Sequence, residues 1–102
     1  MSKQWGHGYF KGIEAAKSHK GSLRGLWFHS RHDDGLGWQG QVVRELENGN
    51  YLVQLYEWMM GEPSVQKVVS PTQMIAWDFY ANDSQMRIAA DEYWSRIGFP
   101  EA

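Results

Sequence analysis

The chain has no cysteine among its 102 residues. Disulfide bonds, zinc sites built from thiolates and thiol nucleophiles are therefore excluded, and a reducing compartment is allowed. Proline occurs only three times, and no apolar run approaches the roughly 20 residues that a membrane-spanning helix needs. The N-terminal segment also lacks the apolar stretch of a signal peptide. These absences predict a cytoplasmic protein with no membrane partner.

What is present suits one compact domain spanning residues 1–102. Hydrophobic residues make up 42% of the chain and aromatic residues 15%, which is enough for a core and argues against disorder. No repeat, low-complexity tract or long linker divides the sequence. We therefore expect a single domain.

The charge is divided unevenly along the chain. Residues 1–32 hold six basic residues against one acidic residue, a net charge of +5, whereas residues 33–102 hold four against eleven, a net charge of −7. This asymmetry is typical of solvated helix surfaces. Alternatively, it could orient self-association or present a basic face to an anion, although a solvated surface explains it better.

Alternating apolar and polar residues indicate β-strands in the middle of the chain. Alternation runs through residues 38–42, breaks at Asn48-Gly49 and resumes through residues 51–55. Asn-Gly tolerates the positive φ angles of a type I′ turn, so the pattern predicts a hairpin. A third run typical of a strand covers residues 64–69.

Two further segments complete a barrel pattern. Residues 23–28 provide a first strand, residues 70–73 suit one tight helical turn, and residues 74–77 provide a last strand. The order predicts an α+β fold in which residues 23–79 form a five-stranded antiparallel SH3-like barrel. Such barrels carry many unrelated activities, so the fold alone does not predict the function.

A helix is predicted on each side of this barrel. In the N-terminal region, residues 1–22, Tyr9, Ile13 and Ala16 recur at helical spacing, and Gly21 is a plausible stop.

The C-terminal helix is predicted over residues 82–98. Asn82 can cap it and Gln85 stands three residues later, as in a capping box. Its apolar stripe and its closing residues are Met86, Ala89 or Ala90, Tyr93 and Ile97, followed by Gly98 and Pro100.

The segment from His29 to Asp34 has the residue types of a metal site. Imidazole and carboxylate groups three to five residues apart could bind a divalent ion, but Arg31 opposes this. An exposed connection between strands explains the segment better, so we predict no metal ion. His32 could still contact an anionic ligand when it is protonated.

Six tryptophans are available for the core or for a binding surface. We assign Trp27 and Trp77 to the core, because each buries a large area. Trp38 and Trp58 flank predicted loops, where SH3-like and Tudor-like domains place aromatic residues for ligands, although both could also be buried. Adjacent Met59 and Met60 at a hairpin tip suggest contact with a helix or with another subunit, and we assign them to a subunit interface.

Three segments carry a family resemblance. The runs at residues 37–43, 49–53 and 61–66 resemble the barrel of the plasmid-encoded, trimethoprim-insensitive type II dihydrofolate reductases, with a Trp-Gln-Gly-Gln run and a Ser-Val-Gln run in the same order. The match covers the middle third of the chain. It implies four barrels around a pore that gathers NADPH and dihydrofolate, and carriage on a mobile genetic element.

The pore residues of that family are only partly present. Gln66 matches its glutamine, but Lys67 and Val68 stand in place of isoleucine and tyrosine, and His32 falls near its lysine position. Loss of the tyrosine removes a stacking contact, and four copies of Lys67 around a pore would repel one another. We therefore expect the barrel without the reductase activity, and no catalytic residue is assigned.

Three function classes follow, and each has its own candidate residues. The first is a non-catalytic binding or assembly module that forms a homo-oligomer and has no cofactor. The second is a reductase relative that binds NADP or a pterin through Gln66, Lys67 and His32. The third is a nucleic-acid binder that uses the basic N-terminal region, against which the pI of about 6.0 counts.

Overall fold

The structure is a computed structural model, and it describes residues 9–32, 35–58 and 61–97. Within these ranges the fold is α+β, with a six-stranded antiparallel sheet and two helices. The strands are Tyr9–Lys11 (β1), Trp27–His32 (β2), Gly35–Glu45 (β3), Tyr51–Tyr56 (β4), Pro63–Val69 (β5) and Asp78–Tyr80 (β6), and the helices are Gly12–Lys20 (α1) and Asp83–Ile97 (α2). The strands lie side by side in the order β1-β6-β2-β3-β4-β5.

The predicted five-stranded closed barrel is wrong in two respects. The sheet has six strands, and its edge strands β1 and β5 do not pair with each other in the part of the chain that the structure describes. The sixth strand comes from residues Tyr9–Lys11, which pair with β6 at the side of the sheet farthest from β5. The sheet is therefore open rather than closed.

The three central runs do form the meander β3-β4-β5, as predicted. The turn at Asn48-Gly49 joins the first two strands, but it is not of type I′, because no described residue other than glycine has a positive φ. Leu46 C=O accepts from the Gly49 N–H at 3.0 Å, and Gly49 has a φ of +89°. This is a type I turn followed by a glycine in the left-handed region. That arrangement is usual in three-residue hairpin loops, whereas type I′ turns are usual in two-residue loops.

The N-terminal segment departs from the prediction, because Tyr9 lies in a strand and α1 begins only at Gly12. Gly12 has a φ of +85° and its N–H donates to Trp77 C=O at 2.7 Å. A Cβ at this position would lie 2.6 Å from Ile75 O. Glycine permits this sharp change from strand to helix, which the helical spacing of the apolar residues does not indicate.

Two predicted strands are displaced along the chain. The first begins at Trp27 rather than residue 23, after a turn in which the Gly25 N–H donates to Val42 C=O at 2.9 Å. Residues 74–77 are not a strand: the turn that starts at Ser70 continues through successive turns to Trp77, and β6 follows it. Met74 and Trp77 are both buried, and their spacing of three residues fits a helical turn better than a strand.

The two faces of the sheet are covered by different helices. The face that carries Phe28, Val53 and Phe79 packs with Ile13 and Ala16 of α1 and forms the main core. The opposite face, at β1, β6 and β2, carries the residues that pack against α2. We call these the α1 face and the α2 face. Residues of the α2 face include Tyr9, Trp27, His29, Asp78 and Tyr80.

Helix α2 begins as the sequence predicts. The Gln85 N–H donates to Asn82 Oδ1 at 2.9 Å, which satisfies one of the free donors of the first turn. The reciprocal bond of a capping box is missing, because Gln85 Oε1 is buried without a partner among the described residues. Met86, Ala89 and Ala90 are buried, so this stripe holds α2 against the sheet. Gly98 and Pro100 lie outside the described residues.

Candidate functional site

A pocket of about 230 Å³ lies between α2 and the α2 face of the sheet. Its walls combine aromatic side chains from the strands and the loop after β4 with small and charged residues from the helix. The lining residues are Trp27, Gln39, Tyr56, Trp58, Gly61, Met86, Arg87, Ala90 and Asp91.

The sheet wall is built by cross-strand neighbours. Gln39 lies directly opposite His29 of β2 on one side and Tyr56 of β4 on the other. Directly opposite residues project from the same face of a sheet, so these three side chains lie in one row. The Trp27 ring joins this wall, with its centroid 5.1 Å from that of Tyr56.

Two hydrogen bonds fix the deeper part of this wall. Trp58 Nε1–H donates to Gly37 C=O at 3.2 Å, and Gln39 Nε2 donates to Glu57 C=O at 2.8 Å. The Trp58 ring also packs on the imidazole of His29, with centroids 5.2 Å apart. The Trp58 indole N–H and one N–H of the Gln39 amide are therefore not available to a ligand. What this wall offers a ligand is mainly the surface of its aromatic rings.

Helix α2 closes the other side of the pocket with two pairs of residues spaced four apart. Met86 and Ala90 are buried and supply the apolar floor. Arg87 and Asp91 lie on the next row of the helix and are exposed. The Arg87 guanidinium lies beside Gly61, where a Cβ would be 3.7 Å from it. Charged groups therefore stand at the rim rather than inside.

The histidine of the row in the sheet wall is buried. His29 has 0% of its surface exposed, its Nδ1 is 2.9 Å from the Tyr80 hydroxyl, and its Nε2 has no hydrogen-bond partner among the described residues. Burial lowers the pKa of His29 from 6.5 to about 4, although the Asp78 carboxylate and the Gln39 side chain oppose the shift. The imidazole is therefore neutral at pH 7.

Asp78 of β6 is a buried charge near this histidine, and the two strands beside it, β1 and β2, supply its partners. Its Oδ2 accepts from Arg31 at 2.8 Å, and its Oδ1 accepts from the Tyr9 hydroxyl at 2.7 Å and from Lys11 Nζ at 3.2 Å. Burial raises the pKa of Tyr9 and of Tyr80, and the nearby Asp78 carboxylate adds to both shifts. This cluster joins β1, β6 and β2, so it positions the sheet beneath the pocket.

The structure separates the site residues that the sequence suggested. Trp58 lines the pocket on the α2 face. Trp38 lies on the α1 face, where it packs edge-on against Trp77 with centroids 6.3 Å apart, and Lys67 Nζ lies 5.3 Å from the centre of its ring. Trp38 and Trp58 therefore cannot share one ligand within a single chain.

Gln66 and Lys67 are neighbours in β5, so their side chains point to opposite faces of the sheet. Gln66 is exposed opposite Gln54 on the α2 face. His32 pairs with Gly35 at the end of β2, but its side chain lies outside the described part of the structure. Met59 and Met60 also lie outside the described residues.

The segment considered for metal binding is divided by the fold. His29 is buried behind Trp58, and Arg31 binds Asp78. Asp33 and Asp34 lie outside the described residues. The histidine and the arginine of this segment are thus parts of the buried polar cluster.

Sequence reasoning missed most of the pocket. Trp27 was assigned to the core but is only half-buried and lines the pocket. Gln39 lies in one predicted strand and Tyr56 directly follows the next, so the register of the predicted hairpin was the available signal. No local pattern places Arg87 and Asp91 near these strands, because α2 reaches the sheet only through the tertiary fold.

Comparison with known proteins found no matching family model, no matching curated protein and no matching solved structure. The resemblance to the type II dihydrofolate reductases is therefore carried by the sequence runs alone. Neither described helix has the length and apolar character needed to cross a membrane.

Proposed function

We propose that this chain is a non-catalytic binding module whose site is the pocket between α2 and the sheet. The observation that carries the proposal is the convergence of three aromatic side chains, Trp27, Tyr56 and Trp58, on one pocket floored by Met86 and Ala90. Concave sites with aromatic walls and few polar groups are the usual sites for small ligands.

The size of the pocket limits what it can hold. Its volume of about 230 Å³ is below the range of about 300 to 1,000 Å³ that is common for drug-sized ligands. A single ring, a compact headgroup or one side chain of a partner fits this volume. The walls are held by the bonds of Trp58 and Gln39, which supports binding to a preformed site.

Ligand-observed NMR with four small probes tests the proposal. The probes are nicotinamide, benzamidine, cyclohexanol and tetramethylammonium, which span charge at similar size. We expect at least one of them to bind the wild type and Ala15→Phe, whose substitution lies on the exposed side of α1. Ala90→Phe fills the pocket and should abolish this binding. The circular dichroism spectrum of the variant should remain that of a folded protein.

Two results would overturn the proposal. One is that none of the four probes binds the wild type. The other is that binding persists unchanged in Ala90→Phe, because the ligand would then sit elsewhere on the protein.

The two alternatives are weaker proposals. A reductase relative using Gln66, Lys67 and His32 would need Gln66 and Lys67 to act from opposite faces of β5. A nucleic-acid binder would use the basic N-terminal region, but Lys11 and Arg31 are engaged with Asp78.

Self-association belongs to the same proposal. β5 is an edge strand, and its Val65 and Val68 are each 56% exposed. An exposed strand edge with apolar side chains favours pairing with another chain. Cytoplasmic location, carriage on a mobile element and an SH3-like origin of the sheet remain proposals based on the sequence.

A further inference from the structure

We infer that the pocket takes a cation whose charge is spread over methyl groups, a quaternary ammonium group. The inference rests on the proposed function, because it names the ligand class of the same pocket. Two independent features support it: the aromatic walls and the sign of the charge around the rim.

The aromatic walls favour a cation with dispersed charge. The faces of tryptophan and tyrosine rings carry negative potential, and rings that surround one volume bind quaternary ammonium groups. Trp27, Tyr56 and Trp58 come from β2, β4 and the loop after β4, so they approach the volume from different strands. Trp27 and Tyr56 are inclined at 44° to each other rather than stacked flat. Two inclined rings form a corner rather than a flat surface.

The rim of the pocket is acidic on balance. Asp91 lines the pocket, is exposed and has no ion pair among the described residues. Such a carboxylate raises the local concentration of cations and disfavours anions.

Arg87 is the positive charge among the lining residues, and it is partly neutralised. Its Nε lies 3.7 Å from Asp83 Oδ2, one helical turn earlier. The Arg87 side chain is 63% exposed, so its field is also screened by water. The acidic groups around the pocket therefore outweigh it.

A methylated ammonium suits the pocket better than a primary ammonium. A primary ammonium has three N–H donors, and each needs an acceptor when it leaves water. Gln39 Nε2 is tied to Glu57 C=O, and apart from Gln39 and the rim residues Arg87 and Asp91 the walls are aromatic and aliphatic. A quaternary ammonium has no N–H donor, so it loses no hydrogen bond on entering.

Calorimetric titration of the full chain with choline and with 3,3-dimethylbutanol tests the inference. The two molecules have nearly the same shape, but 3,3-dimethylbutanol has a neutral carbon in place of the charged nitrogen of choline. We expect choline to bind about tenfold more tightly than the neutral isostere. Equal affinity would overturn the charge inference and leave the pocket proposal intact. If choline does not bind while another small probe does, the charge inference is likewise overturned and the pocket proposal stands.

Two rim variants give opposite expected changes. Asp91→Asn should weaken choline binding about two- to threefold, because it removes an unpaired carboxylate in a screened position. Arg87→Gln should strengthen it by a similar factor. For 3,3-dimethylbutanol, which carries no charge, both changes should be smaller than for choline. Changes in the reverse directions would contradict the inference.

A trimethyllysine peptide and choline present the same headgroup, and comparing them identifies the source. Tighter binding of the peptide assigns the pocket to a methylated protein partner, whereas tighter binding of choline assigns it to a free small molecule. Either order supports the quaternary ammonium class, and binding of neither overturns it.

Discussion

His29 is a buried histidine that the fold keeps neutral. Burial lowers its pKa from 6.5 to about 4, whereas in the unfolded chain it should titrate near its usual value. Between these two values the unfolded state binds more protons than the folded state. The free energy of unfolding should therefore fall as the pH falls from about 6.5 to about 4, and it should not change through this group above pH 7.

We expect the free energy of unfolding to fall by about 3 kcal/mol between pH 7 and pH 4 through the protonation of His29 alone. Urea unfolding at both pH values, for the wild type and for His29→Gln, measures the effect. The variant keeps a polar side chain but cannot bind the proton, so its loss of stability on acidification should be smaller. The same loss in both proteins would assign the pH dependence to other groups.

Asp78 and Asp83 allow a buried ion pair to be compared with an exposed one. The Asp78 side chain is 3% exposed and meets Arg31 and Lys11, whereas the Asp83 side chain is 48% exposed and meets Arg87 at 3.7 Å. Replacing the carboxylate with an amide leaves two cations without a counter-ion and replaces one of the two acceptor oxygens with a donor.

We expect Asp78→Asn to lower the free energy of unfolding by about 2 to 3 kcal/mol. The cost is below that of a fully buried pair, because the Lys11 and Arg31 side chains are 57% and 38% exposed and can be hydrated. Asp83→Asn should cost under about 1 kcal/mol. Urea unfolding of the two variants tests this order, and equal losses would refute it.

At the scale of elements, Gly12 and Gly25 share a backbone conformation but differ in their surroundings. Both have a φ of +85°, yet a Cβ would lie 2.6 Å from Ile75 O at Gly12 and would have nothing within 4 Å at Gly25. Gly25→Ala should cost about 1 to 2 kcal/mol through the left-handed conformation alone. Gly12→Ala should cost about 1 to 3 kcal/mol more, because it also forces the backbone apart where β1 meets α1.

Thermal or urea unfolding of the two glycine variants separates these contributions. A similar loss in both would mean that the backbone around Gly12 moves aside without cost. Circular dichroism at low denaturant would check that α1 remains folded in each variant.

The long strands and the helix with a cap could be predicted from the sequence, whereas the short strands could not. β3 and β4 carry several alternations and a glycine turn between them, and Asn82 marks the start of α2. β1 and β6 have three residues each, which is too few to show a period. They are strands because each pairs with a neighbour, and pairing is not visible in a single segment.

The candidate site was predicted only in part, for the same reason. Trp58, which lines the pocket, could be predicted as a candidate residue because it flanks a predicted loop. Its companions Trp27 and Tyr56 belong to other strands and meet it through the sheet register. Arg87 and Asp91 join them only when α2 packs on the sheet, and helical periodicity alone does not specify which face of the sheet it covers.

For the whole molecule, we expect a homo-oligomer, a dimer or tetramer, in which the β5 edge takes part. Val65→Lys plus Val68→Lys should lower the mass in solution, because the added charges would be buried in the contact. Ile75→Lys is a matched control, since Ile75 is 63% exposed and lies outside β5. Light scattering at matched concentration measures all three proteins.

A monomeric wild type at high micromolar concentration would overturn the expectation of an oligomer. An unchanged mass in the double variant would show that β5 is not the interface and would direct attention to Met59 and Met60. The single-chain pocket on the α2 face does not depend on this outcome.

Binding of a small cation in the pocket between α2 and the sheet should be visible at the tryptophans that line it. The most direct test follows the indole N–H signals of the tryptophans by NMR during a choline titration, with sodium chloride at equal ionic strength as the control. Trp→Phe variants assign the signals. The signals of Trp27 and Trp58 should shift and saturate, whereas those of Trp38 and Trp77, on the α1 face, should stay unchanged. Static signals from Trp27 and Trp58, or a saturating shift confined to Trp38, would contradict the claim.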